Sequence, residues 1–303
     1  MSGTLADLGL SSIHSGKVRE LYALGDDRLV MVASDRISAF DVVMAEPIPD
    51  KGRVLTAMTA FWCAELGDAA RGSLLSCDPS VIDEAVPGFA GLTELHGRTM
   101  LVRRAEMLPL ECIVRGYLAG QAWEEYRVAG TIHHMAAPEG LELASRLPTP
   151  MFTPSTKAEE GHDENIDLAT AAGIVGEARL AEAASLCLKL FAAASARAAA
   201  AGLILADTKF ELGIVDGRLV LCDEVVTPDS SRLWPADEVV VGQTPPAFDK
   251  QPFRDWLSGQ DWDRTPPPPT LPDEVVATTS ARYQAAYERM TGRLLSDWYG
   301  GRA

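Results

Sequence analysis

What this sequence lacks narrows its class first. Its 303 residues contain five cysteines, Cys63, Cys77, Cys112, Cys187 and Cys222, and no two stand as C-x-x-C. An odd, unpatterned set argues against a disulfide framework or a zinc site and favours a reducing cytoplasm. The start, MSGTLADLGL, has no basic segment leading into an apolar one, so no secretory signal is expected. The most apolar stretch, 192–206, is rich in alanine and interrupted by Arg197, which reads as too short and too polar to cross a bilayer. G-x-S-x-G, H-E-x-x-H, the dinucleotide fingerprint and the G-x-x-x-x-G-K-[ST] loop are all missing, and no internal repeat is found. Without an activated serine or cysteine, the chemistry that fits is phosphoryl transfer between bound substrates. Such a reaction asks the protein mainly for positioning, cations and metal.

What is present is globular composition, 47% hydrophobic and 23% charged. The length suits one large domain or two lobes. A formal net charge of −16 argues against nucleic acid or an anionic membrane as the main partner. Small anionic substrates stay open, because a local cluster of Lys and Arg can bind phosphate inside an acidic protein.

HSGKVRELY (14–22) reads as a glycine-containing turn between two short strands, and LVMVAS (29–34) as a strand. Leu55, Met58, Thr59 and Trp62 predict a helix over 53–67. Residues 100–118 read as two strands broken by Pro109, followed by a helix from about Gln121 to Gly130. The stretch 131–165, rich in Pro, Gly, His and charge, reads as a long loop, and such loops are often functional. The clearest helix covers 175–200, with Leu180, Ala184, Cys187, Phe191 and Ala194 at helical steps and Gly202 as a stop. LILADTKFELGIV and RLVLCDEV read as strands joined by a DG turn, PPPP as a rigid spacer, and 273–298 as a last helix. Strands alternating with helices indicate an α+β or α/β fold.

The chemistry concentrates in DTKFELG. Strand alternation puts Asp207, Lys209 and Glu211 on one face and Thr208, Phe210 and Leu212 on the other. Three charges on a largely buried strand need partners or a ligand, although a solvated edge face would look the same. In a strict two-residue hairpin at Asp216-Gly217, Glu211 faces Cys222 and Asp223 points to the other side. A bulge or a three-residue turn would bring Glu211 and Asp223 to one face as a hard-oxygen magnesium pair, and that irregular turn is the expectation. Arg115, after a strand and before a helix, could grip a phosphate, as could Arg232 in the polar turn TPDSSRLWP; alone, each reads as a surface ion-pair partner. SGKVRELY could cover phosphates or be an ordinary basic turn. FTPSTKAEEGHDEN, with Lys157, Glu159, Glu160, His162 and Asp163, reads as a substrate-organising loop or a solvated one.

SGKVRELY, SDRISAFDVVM, IPDKGRVLT, PLECIVRGYLAGQAWEEY, FTPSTKAEEGHDENI, ILADTKFELG and DEVVTPDSSRLWP follow in this order. As an ordered set they resemble the phosphoribosylaminoimidazole-succinocarboxamide synthase (SAICAR synthetase) family from about residue 14 to 298, in its longer form. The resemblance implies an α+β, two-lobed fold. An N-terminal antiparallel-sheet lobe, 1–106, would cover ATP; a larger ATP-grasp-like α/β lobe, 107–303, would include a C-terminal extension at 250–303. It implies an ATP-dependent ligase that joins 5-amino-4-carboxyimidazole ribonucleotide to L-aspartate through an acyl phosphate, with Mg2+. It also implies small-molecule substrates only, no nucleic acid or membrane, a cytoplasmic location, and a monomer or small homo-oligomer.

By the same resemblance, Gly16, Lys17, Val18 and Arg19 match the loop over the ATP phosphates. Val102, Glu106 and Met107 match the segment that holds adenine by main-chain hydrogen bonds. Glu211 and Asp223 match the magnesium carboxylates. Arg115, Lys209, Ser231 and Arg232 match positions around the ribonucleotide phosphate and carboxylate, with Asp207 and Glu111 close by. Lys157 and Asp163 match the loop that closes on the nucleotides, and Lys157, Lys209, Glu211 and Asp223 carry the catalytic roles. Where the family commonly has a phosphate-binding Ser, this chain has Gln121, whose amide NH₂ can also donate. An ATP-dependent metabolite kinase and a silent nucleotide-binding homologue are the alternatives. ADP release that requires aspartate and yields an amide separates the ligase from both.

Overall fold

The computed structural model describes residues 4–67, 72–157, 164–248 and 250–298. The chain divides into two compact units: Met1–Glu65, Ser73–Ala105 and Asp249–Ala303 form the first, Leu66–Gly72 and Glu106–Phe248 the second.

The first unit is built on an antiparallel sheet. Its strands are β1 (Ser12–Ser15), β2 (Arg19–Leu24), β3 (Arg28–Ala33), β6 (Leu74–Ser76) and β7 (Thr99–Arg103), in the order β1-β2-β3-β7-β6; β4 (Ser38–Ala39) and β5 (Val42–Val43) pair separately. The apolar run of β3 serves both faces of the sheet. Val30 and Val32 pack with Ile82 and Phe89, while Met31 packs with Met100 and Val102. The helix Lys51–Glu65 buries Leu55, Met58, Thr59 and Trp62 as their spacing predicts. Its second residue has to be glycine, because a Cβ on Gly52 would lie 2.2 Å from the Ala33 carbonyl oxygen.

The C-terminal segment corrects the sequence reading, which put 250–303 in the second lobe. Phe253, Leu257 and Leu271 share a core with Ile37, Val42, Met44 and Ile48, and the helix Asp273–Thr291 packs against the helix Lys51–Glu65, both within the first unit. That last helix also stops short of the expected 298, at Gly292 (φ 71°), whose N–H bonds back to the Glu288 carbonyl.

The second unit holds β8 (Glu106–Met107), β9 (Leu110–Tyr117), β10 (Thr131–Ile132), β11 (Met135–Ala136), β12 (Arg146–Phe152), β13 (Ser155–Thr156), β14 (Leu203–Val215), β15 (Arg218–Cys222) and β16 (Ser231–Pro235). Its spine is the 13-residue β14, which pairs antiparallel with β8, β9, β15 and β16. The helix Glu177–Ala200 lays Leu180, Ala183, Cys187, Leu190, Phe191, Ala194 and Ala198 inward and packs on β9, β12 and β14. It is long and apolar enough to cross a membrane by length and composition, but its buried stripe is that of a core helix. It matches the helix expected over 175–200, and a separate short helix, Leu168–Val175, precedes it and ends at Gly176.

Residues 131–165 are not one loop. β10 and β11 form a small hairpin, and β12 pairs with β9 at the sheet edge. Pro148 and Pro150 hid β12 from a sequence reading; they lie in the interrupted stretch between the Arg146–Tyr117 and Met151–Arg115 pairs, where a missing N–H is tolerated.

Candidate active site

In the first unit, Gly16, Lys17 and Val18 form the turn from β1 to β2, closed by the Gly16 N–H on the Arg19 carbonyl (2.8 Å). The turn is held from behind through its own carbonyls. Arg36 donates Nη2 to Gly16 O (3.0 Å) and Nε to Lys17 O (3.2 Å), and pairs through Nη1 with Glu20 (2.9 Å). Ser34 donates both its N–H (2.8 Å) and its hydroxyl (2.5 Å) to Val18 O. With three carbonyl dipoles turned toward Arg36 and Ser34, negative partial charge is drawn away from the turn's other side. Lys17 pairs with Asp41, and Arg19 opens β2 opposite Ala33.

Val102 lies inside the same unit's sheet, opposite Leu29 of β3 and Leu74 of β6, with its side chain in the core. Its main chain faces strands on both edges, which corrects its assignment as a main-chain adenine contact. Glu106 and Met107, in the second unit, differ. Both are exposed, and β8 pairs with β14 along one edge while its second edge meets no strand among the described residues. Main-chain donors and acceptors on an open edge need a partner, which a base can supply.

The second unit's charges follow from strand register. Asp207 of β14 sits opposite Arg115 of β9 on one side and Arg232 of β16 on the other. Both arginines donate Nη1 to the same Asp207 oxygen, Oδ2, at 2.8 and 2.7 Å. Two cations against one carboxylate leave the row net positive. Arg115 and Asp207 are each 4% exposed; burial lowers the Arg115 pKa, and the Asp207 charge opposes that. Arg232 lies against Gly120, the residue before the helix Gln121–Ala129: a Cβ there would come within 2.2 Å of Nη2, and φ is 57°. The helix N-terminus, Gln121 and Arg232 are therefore neighbours, an arrangement suited to an anion.

Two and four residues further along β14, charges alternate. Lys209 bonds Glu111 (2.8 Å) and Glu211 (2.5 Å), and Lys157 bonds the other Glu211 oxygen (2.8 Å). Burial disfavours ionised Glu211, but the charges of Lys209 and Lys157 outweigh it and hold the carboxyl below its ordinary pKa. Burial likewise works against the Lys209 ammonium, and Glu211 and Glu111 more than compensate, raising its pKa. Lys157 is 43% exposed, so its ammonium remains open to an incoming anion.

The expected irregular hairpin is absent. Val215 pairs with Arg218 and Glu211 with Cys222, an unbulged two-residue turn with Asp216 and Gly217 at φ 51° and 75°. Register therefore does not place Glu211 and Asp223 on one face, and a shared magnesium site loses that support. β15 ends at Cys222, and Asp223 has φ 56°, so the Asp223 side chain leaves the ladder's alternation altogether. Among the described residues no group of three or more His, Cys, Asp or Glu is arranged to hold a metal.

Ser231 is a further correction. Its hydroxyl is buried against Thr208 Oγ1 (2.7 Å), on the face of β14 opposite the arginines. Asp163, with Glu159, Glu160 and His162, lies outside the described residues. The sequence reading missed His133, which is fully buried in the β10–β11 turn. Its Nε2 lies 3.2 Å from Arg115 Nη2 and its Nδ1 2.9 Å from the Pro154 carbonyl oxygen. Burial, then the Arg115 charge, lowers its pKa to about 4. No motif flags it, since its partners come from β9 and from residue 154.

A model of the SAICAR synthetase family matches residues 12–269. The phosphoribosylaminoimidazole-succinocarboxamide synthase of Saccharopolyspora erythraea is 52% identical over 293 residues, 94% of this chain and 95% of that one. That of Syntrophobacter fumaroxidans is 50% identical over 285 residues, 94% of each chain. Among solved structures, the Saccharomyces cerevisiae SAICAR synthase complexed with SAICAR superposes with a TM-score of 0.85 at 40% identity, over 94% of this chain and 96% of the other. A SAICAR synthetase in complex with ADP shares the fold, with a TM-score of 0.68 at 23% identity over 93% of this chain and 98% of the other.

Proposed function

This chain belongs to the SAICAR synthetase family, and from that membership we propose how its residues divide the work. The enzyme is an ATP-dependent carbon–nitrogen ligase of purine biosynthesis. It condenses 5-amino-1-(5-phosphoribosyl)imidazole-4-carboxylate with L-aspartate to the succinocarboxamide, giving ADP and phosphate.

The observation that carries the residue assignment is the charged face of β14. Its arginine row has one surplus positive charge beside a helix N-terminus, and the Lys209–Glu211–Lys157 cluster lies on the same face. Arg115, Arg232 and Gln121 bind the ribonucleotide phosphate. Lys157 and Lys209 neutralise charge near the reacting carboxylate. In the first step a carboxylate oxygen attacks the γ-phosphorus of ATP, ADP leaves, and an acyl phosphate remains. The aspartate amine then attacks the acyl carbon, loses a proton and expels inorganic phosphate. Both steps concentrate negative charge on transferring oxygens, which fixed cations in a partly dry site stabilise.

Gly16, Lys17, Val18 and Arg19 cover the ATP phosphates, and the open edge of Glu106–Met107 meets adenine. Magnesium suits the donors present: Glu211 is held ionised, and Glu211 and Asp223 both offer hard oxygens. Glu211 would hold it with phosphate oxygens, and Asp223, which lies outside the ladder's alternation, is the candidate for a second carboxylate. The ion would neutralise phosphate charge when bound. Asp163 is assigned to nucleotide binding by family position alone. The enzyme is read as cytoplasmic, a monomer or small homo-oligomer acting on small molecules alone. The net charge of −16 and five buried free cysteines support that reading.

The test mixes the protein with ATP, magnesium, the carboxyimidazole ribonucleotide and aspartate, and follows ADP and amide together. Amide formed in step with ADP is expected. ADP released without aspartate would mark a kinase, and no turnover a silent homologue.

A further inference from the structure

His133 sits in left-handed backbone (φ 48°), an unfavourable conformation for a residue with a side chain. The surrounding structure enforces it. Glu125, from the helix Gln121–Ala129, accepts the main-chain N–H of His133 (2.9 Å), that of His134 (2.7 Å) and the Thr131 hydroxyl (2.7 Å). Burial disfavours the charged form of Glu125, and those two N–H bonds with the Thr131 bond outweigh it. The turn is thus over-determined, and what it delivers is one buried ring.

The ring's two nitrogens face opposite kinds of partner. The Pro154 carbonyl oxygen can only accept, so Nδ1 carries the proton; the Arg115 guanidinium can only donate, so Nε2 carries none. A proton on Nε2 would set N–H against N–H. Arg115 has five N–H donors. Thr153 Oγ1 takes Nε–H, Asp207 takes one bond of Nη1 and His133 one of Nη2. One N–H therefore remains on each terminal nitrogen, the number that a phosphate or carboxylate needs for a two-point grip.

We propose that His133, as its neutral Nδ1–H tautomer, is a positioning residue that fixes the roll of the Arg115 guanidinium so that its two remaining N–H groups meet the ribonucleotide anion. This rests on the reading of Arg115 as a ribonucleotide contact. Asp207 alone would leave the guanidinium plane free to tilt about one bond. Thr153 and His133, bonded at Nε and Nη2, remove that freedom.

Two amide substitutions separate the ring's two halves. His133→Asn keeps a donor near Nδ1 and removes the acceptor facing Arg115; His133→Gln places an amide oxygen near Nε2 and keeps it. Steady-state kinetics are measured with each substrate varied in turn. The Asn variant is expected to raise the KM for the ribonucleotide about tenfold, as loss of one hydrogen bond to a charged group would. Its kcat and its KM for ATP and aspartate should stay within about twofold, and the Gln variant within about threefold of wild type throughout. If Asn does not fold, His133→Met, which has no strong acceptor, carries the same expectation. Equal kinetics for Asn and Gln, or a loss spread over all three substrates, overturns the proposal. Arg115→Lys is measured alongside. An unchanged ribonucleotide KM in that variant removes the assignment of Arg115 itself; a raised one, with His133→Asn unaffected, removes only the role of His133.

Discussion

The first unit's Gly16–Arg19 turn and the second unit's charged row use opposite materials. The turn is a backbone device: its carbonyls are held by Ser34 and Arg36, residues distant in sequence from the turn itself. The row is a side-chain device: register alone sets Arg115, Asp207 and Arg232 in line, and the alternation of β14 adds Lys209 and Glu211. In the first, the residues behind the site should matter as much as those in it. In the second, each charge should count by itself, because each neutralises a particular neighbour.

The largest effect is expected in the row. Glu211→Ala should lower turnover about a thousandfold with the fold intact by circular dichroism, and Asp223→Ala should act similarly. Near-normal rates for either variant at limiting magnesium would remove it from the metal assignment. Next comes Asp207→Asn, which leaves buried Arg115 and its neighbour Arg232 facing a neutral amide; a loss of about 3 kcal/mol is expected from urea unfolding. A stability change confined to a few tenths would mean that the row does not behave as a side-chain device.

The turn should yield smaller numbers and a different ranking. Arg36→Ala is expected to raise the KM for ATP about tenfold, through three lost hydrogen bonds to the turn and to Glu20, and to leave the ribonucleotide KM alone. Lys17→Ala should do no worse, since the Lys17–Asp41 pair is about half exposed. If Lys17→Ala proves far more damaging, the turn acts through its side chain and the contrast fails. A separate prediction concerns pH. The folded protein keeps His133 neutral down to about pH 4, whereas an unfolded chain protonates it near 6.5. Between those values the unfolded state binds more protons, so stability falls as pH falls; above 6.5 the term is constant. His133→Gln should flatten that part of the stability–pH curve.

Local alternation was the legible part of the site. DTKFELG placed Asp207, Lys209 and Glu211 on one face, and all three have their partners there. What reached beyond one strand was less legible. An irregular hairpin was expected so that Glu211 and Asp223 might share a face, yet Asp216-Gly217 is a good two-residue turn, and a left-handed residue at 223 ends the parity rule instead. Strand β12 was hidden by two prolines at positions where pairing is interrupted. The resemblance put the C-terminal segment in the second lobe, and amphipathic spacing offers no check on that, because it shows that a helix has a buried face, not whose core it joins. His133 was invisible for a related reason: its partners lie 18 and 21 residues away along the chain.

The length of β14 has a consequence for selectivity. Asp207 and Glu211 ride on one continuous, buried strand, four positions apart, or about 13 Å at strand rise. Neither end can move toward the other without shearing a ladder paired along both edges. On the roles proposed for the residues at its two ends, the strand would act as a fixed gauge, testing whether a molecule has its anionic tail and its reactive head the right distance apart. A nucleotide one group too short would be gripped at one end and left unreactive at the other, without any residue having to reject it.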